Sequence, residues 1–150
     1  MANVNDVARY ILERQGENLS TMKLQKLVYY AQAWSLVWDE KPLFGSRFEA
    51  WANGPVCREL YNQHRGHFTA TPAMFPGDAH RLTHDERETV DTVLDAYGHL
   101  TGQQLSDLAH GERPWREARE GVAAGAPSTN EVSQEVMQDF YSSMQSASAV

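Results

Sequence analysis

One hundred and fifty residues, 41% hydrophobic and 22% charged, suit one globular domain with its own core and exclude a disordered chain. No apolar run nears the roughly 20 residues of a membrane span, the lone Cys57 excludes an internal disulfide, and the start MANVNDVARY lacks the basic and apolar regions of a signal peptide, so a soluble, cytoplasmic protein is expected. The net charge of −7 is concentrated late, with 9 Lys/Arg against 8 Asp/Glu in residues 1–82 and 4 against 12 in residues 83–150, a balance that repels nucleic-acid phosphate and attracts a basic partner.

The first predicted element is a helix over NVNDVARYILERQG. Val4, Val7, Ala8, Ile11 and Leu12 form one apolar stripe, with Asn3 as cap and Gly16 as stop. A second helix starts at a Ser20 or Thr21 cap, carries Leu24, Leu27, Val28, Ala31, Trp34 and Trp38 on its stripe, and ends before Pro42. It is apolar over most of its circumference, which marks it as the central helix. In PLFGSRFEAWANGPV, Phe44, Phe48 and Trp51 favour extended structure between turn signals, so a small β-hairpin is expected. Pro55 suits the first turn of a short helix that ends at Gly66. Residues 67–82 hold two prolines and no helical period; the segment is a long loop, either packed by Phe68, Met74 and Phe75 or mobile.

Further helices announce their own starts. THDE at 83–86 and TGQQ at 101–104 fit the reciprocal capping pattern, in which the first side chain caps the fourth residue's N–H and the fourth reaches back. The first of these helices stops at Gly98 and the second at Gly111, and Pro114 opens a short helix carrying Trp115 and Ala118. STNE at 128–131 reads as another cap, with Val132, Val136, Phe140 and Met144 as the buried face of a last helix, and residues 145–150 read as a disordered tail. The fold class expected is mainly α: one compact domain of six to seven helices with a small β-hairpin.

Chemistry-bearing residues are few. Cys57 falls in a helix first turn, where the dipole favours a thiolate, but His64 is seven positions on, too far along a helix to act as its base. His110 and Glu112 flank Gly111, yet no further pair completes a metal set. Lys23 and Lys26, three apart at a helix start, suit phosphate contact or a solvated helix face. In LSDLAHGERPWREAR the residues fit a tight helix–helix corner: His110 at a helix C-terminus, Glu112 before the next helix, Pro114 in its first turn and Trp115 as buried anchor.

The succession KLQKLVYYAQAW, PLF, FEAWANGPVCRELY and LSDLAHGERPWREAR resembles the Panacea domain, the SocA-like (also GepA-like) antitoxin family. The likeness runs from about Val7 to Tyr141, within an expected domain of residues 1–144, and departs at Ala109, where the family usually has threonine, and in the longer, proline-rich stretch 62–82. It implies an antitoxin of a bacterial or phage toxin–antitoxin pair, not an enzyme, that binds a cognate toxin from a neighbouring gene. The alternatives are an adaptor handing the toxin to a ClpXP-type protease, or a DNA-binding operon regulator acting through Lys23 and Lys26. No cofactor, metal, membrane or small-molecule substrate is expected. Trp51, Asn53, Gly54, Tyr61, His110, Glu112 and Trp115, with the 67–82 loop, are the candidate partner-binding residues.

Overall fold

The computed structural model describes residues 1–16 and 19–148. Its helices are α1 (Val4–Gln15), α2 (Thr21–Trp38), α3 (Arg58–His64), α4 (His84–Tyr97), α5 (Gly102–His110), α6 (Arg113–Ala118) and α7 (Gln134–Ser148); strands β1 (Glu49–Trp51) and β2 (Gly54–Val56) pair antiparallel in a hairpin. The mainly helical class with one small hairpin is therefore as the sequence predicted. No helix among the described residues is long and apolar enough to cross a membrane.

Three predicted caps form. Asn3 with Asp6, Thr83 with Glu86, and Thr101 with Gln104 each satisfy two otherwise free N–H groups reciprocally. Ser20 caps α2 by accepting from Lys23 N. Gly16 ends α1 at φ 68°, the left-handed conformation that a residue without Cβ adopts at low cost. α2 packs against α1, α4, α5, α7 and β2, which makes it the axis of the core.

Four expectations need correction. Pro55 lies in β2 opposite Ala50, and Cys57 is the N-cap of α3; a proline is tolerated at a sheet edge because the N–H it lacks is not needed there. The STNE cap does not form. Residues 130–132 instead run beside β1, with Ala50 N–H donating to Asn130 O (2.8 Å) and Val132 N–H to Phe48 O (2.8 Å), while Ser133 Oγ caps α7 by accepting from Val136 N (3.2 Å). The later start rotates α7, so Met137 and Tyr141 are its fully buried residues; Phe140 is half-buried and Met144 exposed. Of the expected tail, residues 145–148 are helical and residues 149–150 lie outside the described residues.

The 67–82 loop is packed. Arg9 Nη1 donates to Pro72 O (3.0 Å) and Phe75 O (3.1 Å), and Asp78 N–H to Asp6 Oδ1 (2.7 Å). Phe75 is fully buried, whereas Phe68 is 81% exposed. Gly77 is needed where the loop crosses α1, because a Cβ there would stand 2.6 Å from the Asn5 carbonyl carbon.

Candidate functional site

Every residue of α2 from Leu24 to Leu36 is buried, polar ones included. A buried polar side chain is costly unless it is bonded. Gln32 meets this by holding the following loop: its Oε1 accepts from Leu43 N (2.7 Å) and its Nε2 donates to Phe44 O (2.9 Å). Ser35 Oγ donates to Lys41 O (2.8 Å). Gln25 holds the start of α3, accepting from Cys57 N (2.9 Å) and donating to Cys57 O (3.2 Å).

The Gln25 Nε2 group also lies 3.0 Å from His64 Nε2. Its oxygen is fixed by Cys57 N–H, so the nitrogen must donate and the imidazole must accept. Burial lowers the His64 pKa, in keeping with a neutral ring.

Lys26 breaks the pattern. It is 2% exposed, and among the described residues no group bonds to its Nζ. Burial alone pulls its pKa down to about 8. Gly54 makes room for it: a Cβ there would lie 2.6 Å from Lys26 Cε, and the backbone φ of +124° also disfavours a side chain. Neither the phosphate contact nor the solvated face expected of Lys26 fits this burial, and Lys23 Nζ donates to Gly98 O (2.7 Å).

Lys26 borders a pocket of about 510 Å³ whose walls include Met22, Trp51, Asn53, Tyr61 and His64. Arg58 stands at its edge over the Trp51 ring (5.1 Å to the centroid) and pairs with Glu49 (3.2 Å). Burial works against charge on Glu49, but bonds from Trp51 Nε1 (2.8 Å) and from Arg58 outweigh it and hold the carboxyl below its usual range. Arg58 is thus matched by an anion, and Lys26 is not.

The structure brings Trp51, Asn53 and Tyr61 together on this pocket, with Gly54 beneath Lys26. His110, Glu112 and Trp115 lie behind the hairpin. The His110 and Trp115 rings stack at 4.2 Å, and Trp115 Nε1 donates to Trp51 O (2.8 Å). Ser106 Oγ donates to Asn53 O. Glu112 is 6% exposed, and its Oε1 accepts from Tyr30 (2.7 Å) and Tyr141 (2.8 Å); burial raises its pKa against the pull of those bonds. His110 Nε2 is buried and has no hydrogen-bond partner among the described residues. The stretch 105–119 therefore forms a corner whose buried side chains hold the hairpin against α5 and α6, and Arg119 completes it by donating to the carbonyls of Ala50 (2.9 Å), Ala123 (3.1 Å) and Ala126 (2.7 Å).

Other candidates are dispersed. Cys57 is buried and its thiol pKa is raised by burial, which disfavours a thiolate. His84, Asp85 and Glu88 could offer three metal-ligand atoms within 4.8 Å of one another, all exposed, and the i,i+4 pair His84–Glu88 (3.4 Å) accounts for two of them.

Residues 24–116, well over half of the chain, match the family described as Antitoxin SocA-like, Panacea domain. That span holds most of α2, the hairpin and the corner. A relative named Antitoxin SocA, from Caulobacter vibrioides (strain NA1000 / CB15N), is 29% identical over 75% of this chain, which spans 63% of that relative's length. No solved structure matches the chain. With matches to α2, the hairpin and the corner in one continuous span, the chain belongs to the Antitoxin SocA-like, Panacea domain family.

Proposed function

We propose that the protein is a cytoplasmic antitoxin that neutralises a cognate toxin by direct protein–protein binding, with a domain extending over residues 1–144. The observation that carries this reading is the hairpin tip. Asn53 is exposed, Trp51 and Tyr61 are half-buried with rings 4.9 Å apart, and the turn is held from behind by its own backbone carbonyls. Rigid aromatic groups beside a polar rim suit a partner-binding centre. Exposed Phe68 is the chain neighbour of this region: its backbone carbonyl accepts from Thr21 N (2.7 Å), and Thr21 lines the same pocket. Gly54 and Trp115 support this face from within, His110 stacks on Trp115, and Glu112 anchors the same corner to the core through Tyr30 and Tyr141.

A DNA-binding role through Lys23 and Lys26 is disfavoured, since one ammonium is buried and the other is bonded to Gly98 O. The test is co-expression with the adjacent gene's product, scoring growth rescue and co-elution on a sizing column. Asn53→Arg is expected to abolish rescue with the melting temperature unchanged; intact rescue removes the hairpin tip from the interface. Rescue without co-elution that disappears when the host ClpXP-type protease is deleted replaces occlusion by delivery.

A further inference from the structure

The Lys26 pocket has a chemistry that toxin binding does not call on. Its volume of about 510 Å³ lies within the range of small-molecule sites, roughly 300–1,000 Å³, and its mostly apolar wall with a few convergent polar groups is typical of them. One ammonium lines it, that of Lys26, a residue 2% exposed and, among the described residues, without an anion. The first turn of α2 contributes Thr21 and Met22 to the wall.

We propose that this pocket binds a free small-molecule monocarboxylate with a flat apolar body, its carboxylate seated on Lys26 and its body against Trp51, Met22 and Tyr61. One cation matches one negative charge. A phosphate monoester carries nearly two and is normally met by several donors, whereas here Arg58 is already paired with Glu49 and His64 is held neutral by Gln25. The space exceeds what one acidic side chain of a partner protein would fill, which favours a free ligand. The ligand would also relieve a cost the empty site bears, since a buried ammonium without a counter-charge is unfavourable.

The experiment needs only the isolated full chain, so it is independent of whether the protein neutralises a toxin. Phenylacetate, 3-phenylpropionate and indole-3-acetate, each beside its neutral amide, are titrated calorimetrically into the wild type and Lys26→Met. Saturable binding of at least one acid is expected, weakened roughly tenfold or more in its amide and in the variant. In parallel, the 13Cε resonance of Lys26 in labelled wild-type protein is followed against pH. Its midpoint should rise when the acid is bound, a readout that does not depend on how the variant folds. Equal binding of acid and amide, no binding by any acid, or an unmoved Lys26 midpoint overturns the proposal. A purified toxin that excludes the acid from the pocket and itself loses affinity to Lys26→Met would make the toxin's own carboxylate the occupant, and overturns the free-ligand reading as well.

Discussion

Below about pH 8 both the folded and the unfolded chain hold the Lys26 proton, and the folded chain bears the cost of burying it. Between about 8 and the ordinary value of 10.5 the folded protein has released that proton while the unfolded one still binds it, so this group adds stability as pH rises through that window. The depression corresponds to about 3 kcal/mol at neutral pH. Lys26→Met, which keeps the stem and removes the charge, is therefore expected to gain about 1–3 kcal/mol at pH 7, with the gain shrinking above pH 8. Urea midpoints of the two proteins from pH 6 to pH 10 measure it, and a gain that does not vary with pH would refute the charge as its cause. Glu112 contributes the opposite slope, because its raised pKa removes stability as pH climbs from the ordinary value of 4.5. It is common to both proteins and cancels in their difference. Nothing local in the sequence distinguishes Lys26 from Lys23, three positions before it, which is half-buried and donates to Gly98 O. The burial of Lys26 depends on a hairpin some 25 residues on, and on Gly54 within that hairpin having no side chain.

At the scale of the element, the starts of α1, α4 and α5 were legible because each cap closes within four residues, with no help from the rest of the chain. The same pattern misled at 128–131. There β1 offers the backbone a competing set of bonds: Ala50 N–H and Phe48 O bind the chain at 130 and 132, so the helix begins only after Ser133. A three-residue strand with unpaired groups on one edge outweighs a four-residue cap, and the resulting delay also explains the misplaced buried face of α7. Two substitutions separate the cases. Ser133→Ala is expected to cost about 1 kcal/mol, as loss of a helix cap does, and Ser128→Ala no more than a few tenths. Thermal or urea unfolding of both variants measures the difference; equal losses would mean that Ser128 caps the helix in solution. The helix–helix corner expected at 105–119 is present, with α5 ending at His110 and α6 running from Arg113. What its sequence did not disclose is that Glu112 turns away from the helix N-terminus into a ring of tyrosines, a contact made across the core from α2 and α7.

Across the whole molecule, α2 serves as an axis that holds each neighbouring segment by a different polar side chain. Gln25 holds α3, Gln32 holds the loop at Leu43 and Phe44, and Ser35 holds Lys41. These bonds explain why a helix apolar by pattern carries glutamines at full burial. They also tie the chain to α2 on both sides of the hairpin, at Leu43 and Phe44 before it and at Cys57 after it, while the hairpin itself is largely buried. The motifs that carry the family resemblance are in large part this holding machinery. The exposed tip of the hairpin lies in the same span, between α2 and the corner.

The hairpin turn is gripped through main-chain oxygens: Trp115 binds the carbonyl of residue 51, and Ser106 that of residue 53. Every amino acid supplies that oxygen, so the grip is indifferent to what positions 52 and 53 display. The side chains of Ala52 and Asn53 are consequently free to change on a turn held through its backbone, which suits the recognition role proposed for them. A library randomised at these two positions should stay folded through most of its members, as protease resistance would record, while its capacity to neutralise different toxins diverges. On the proposed toxin-binding role, a lineage built on this turn would change partners by changing two side chains, without refolding the chain that presents them.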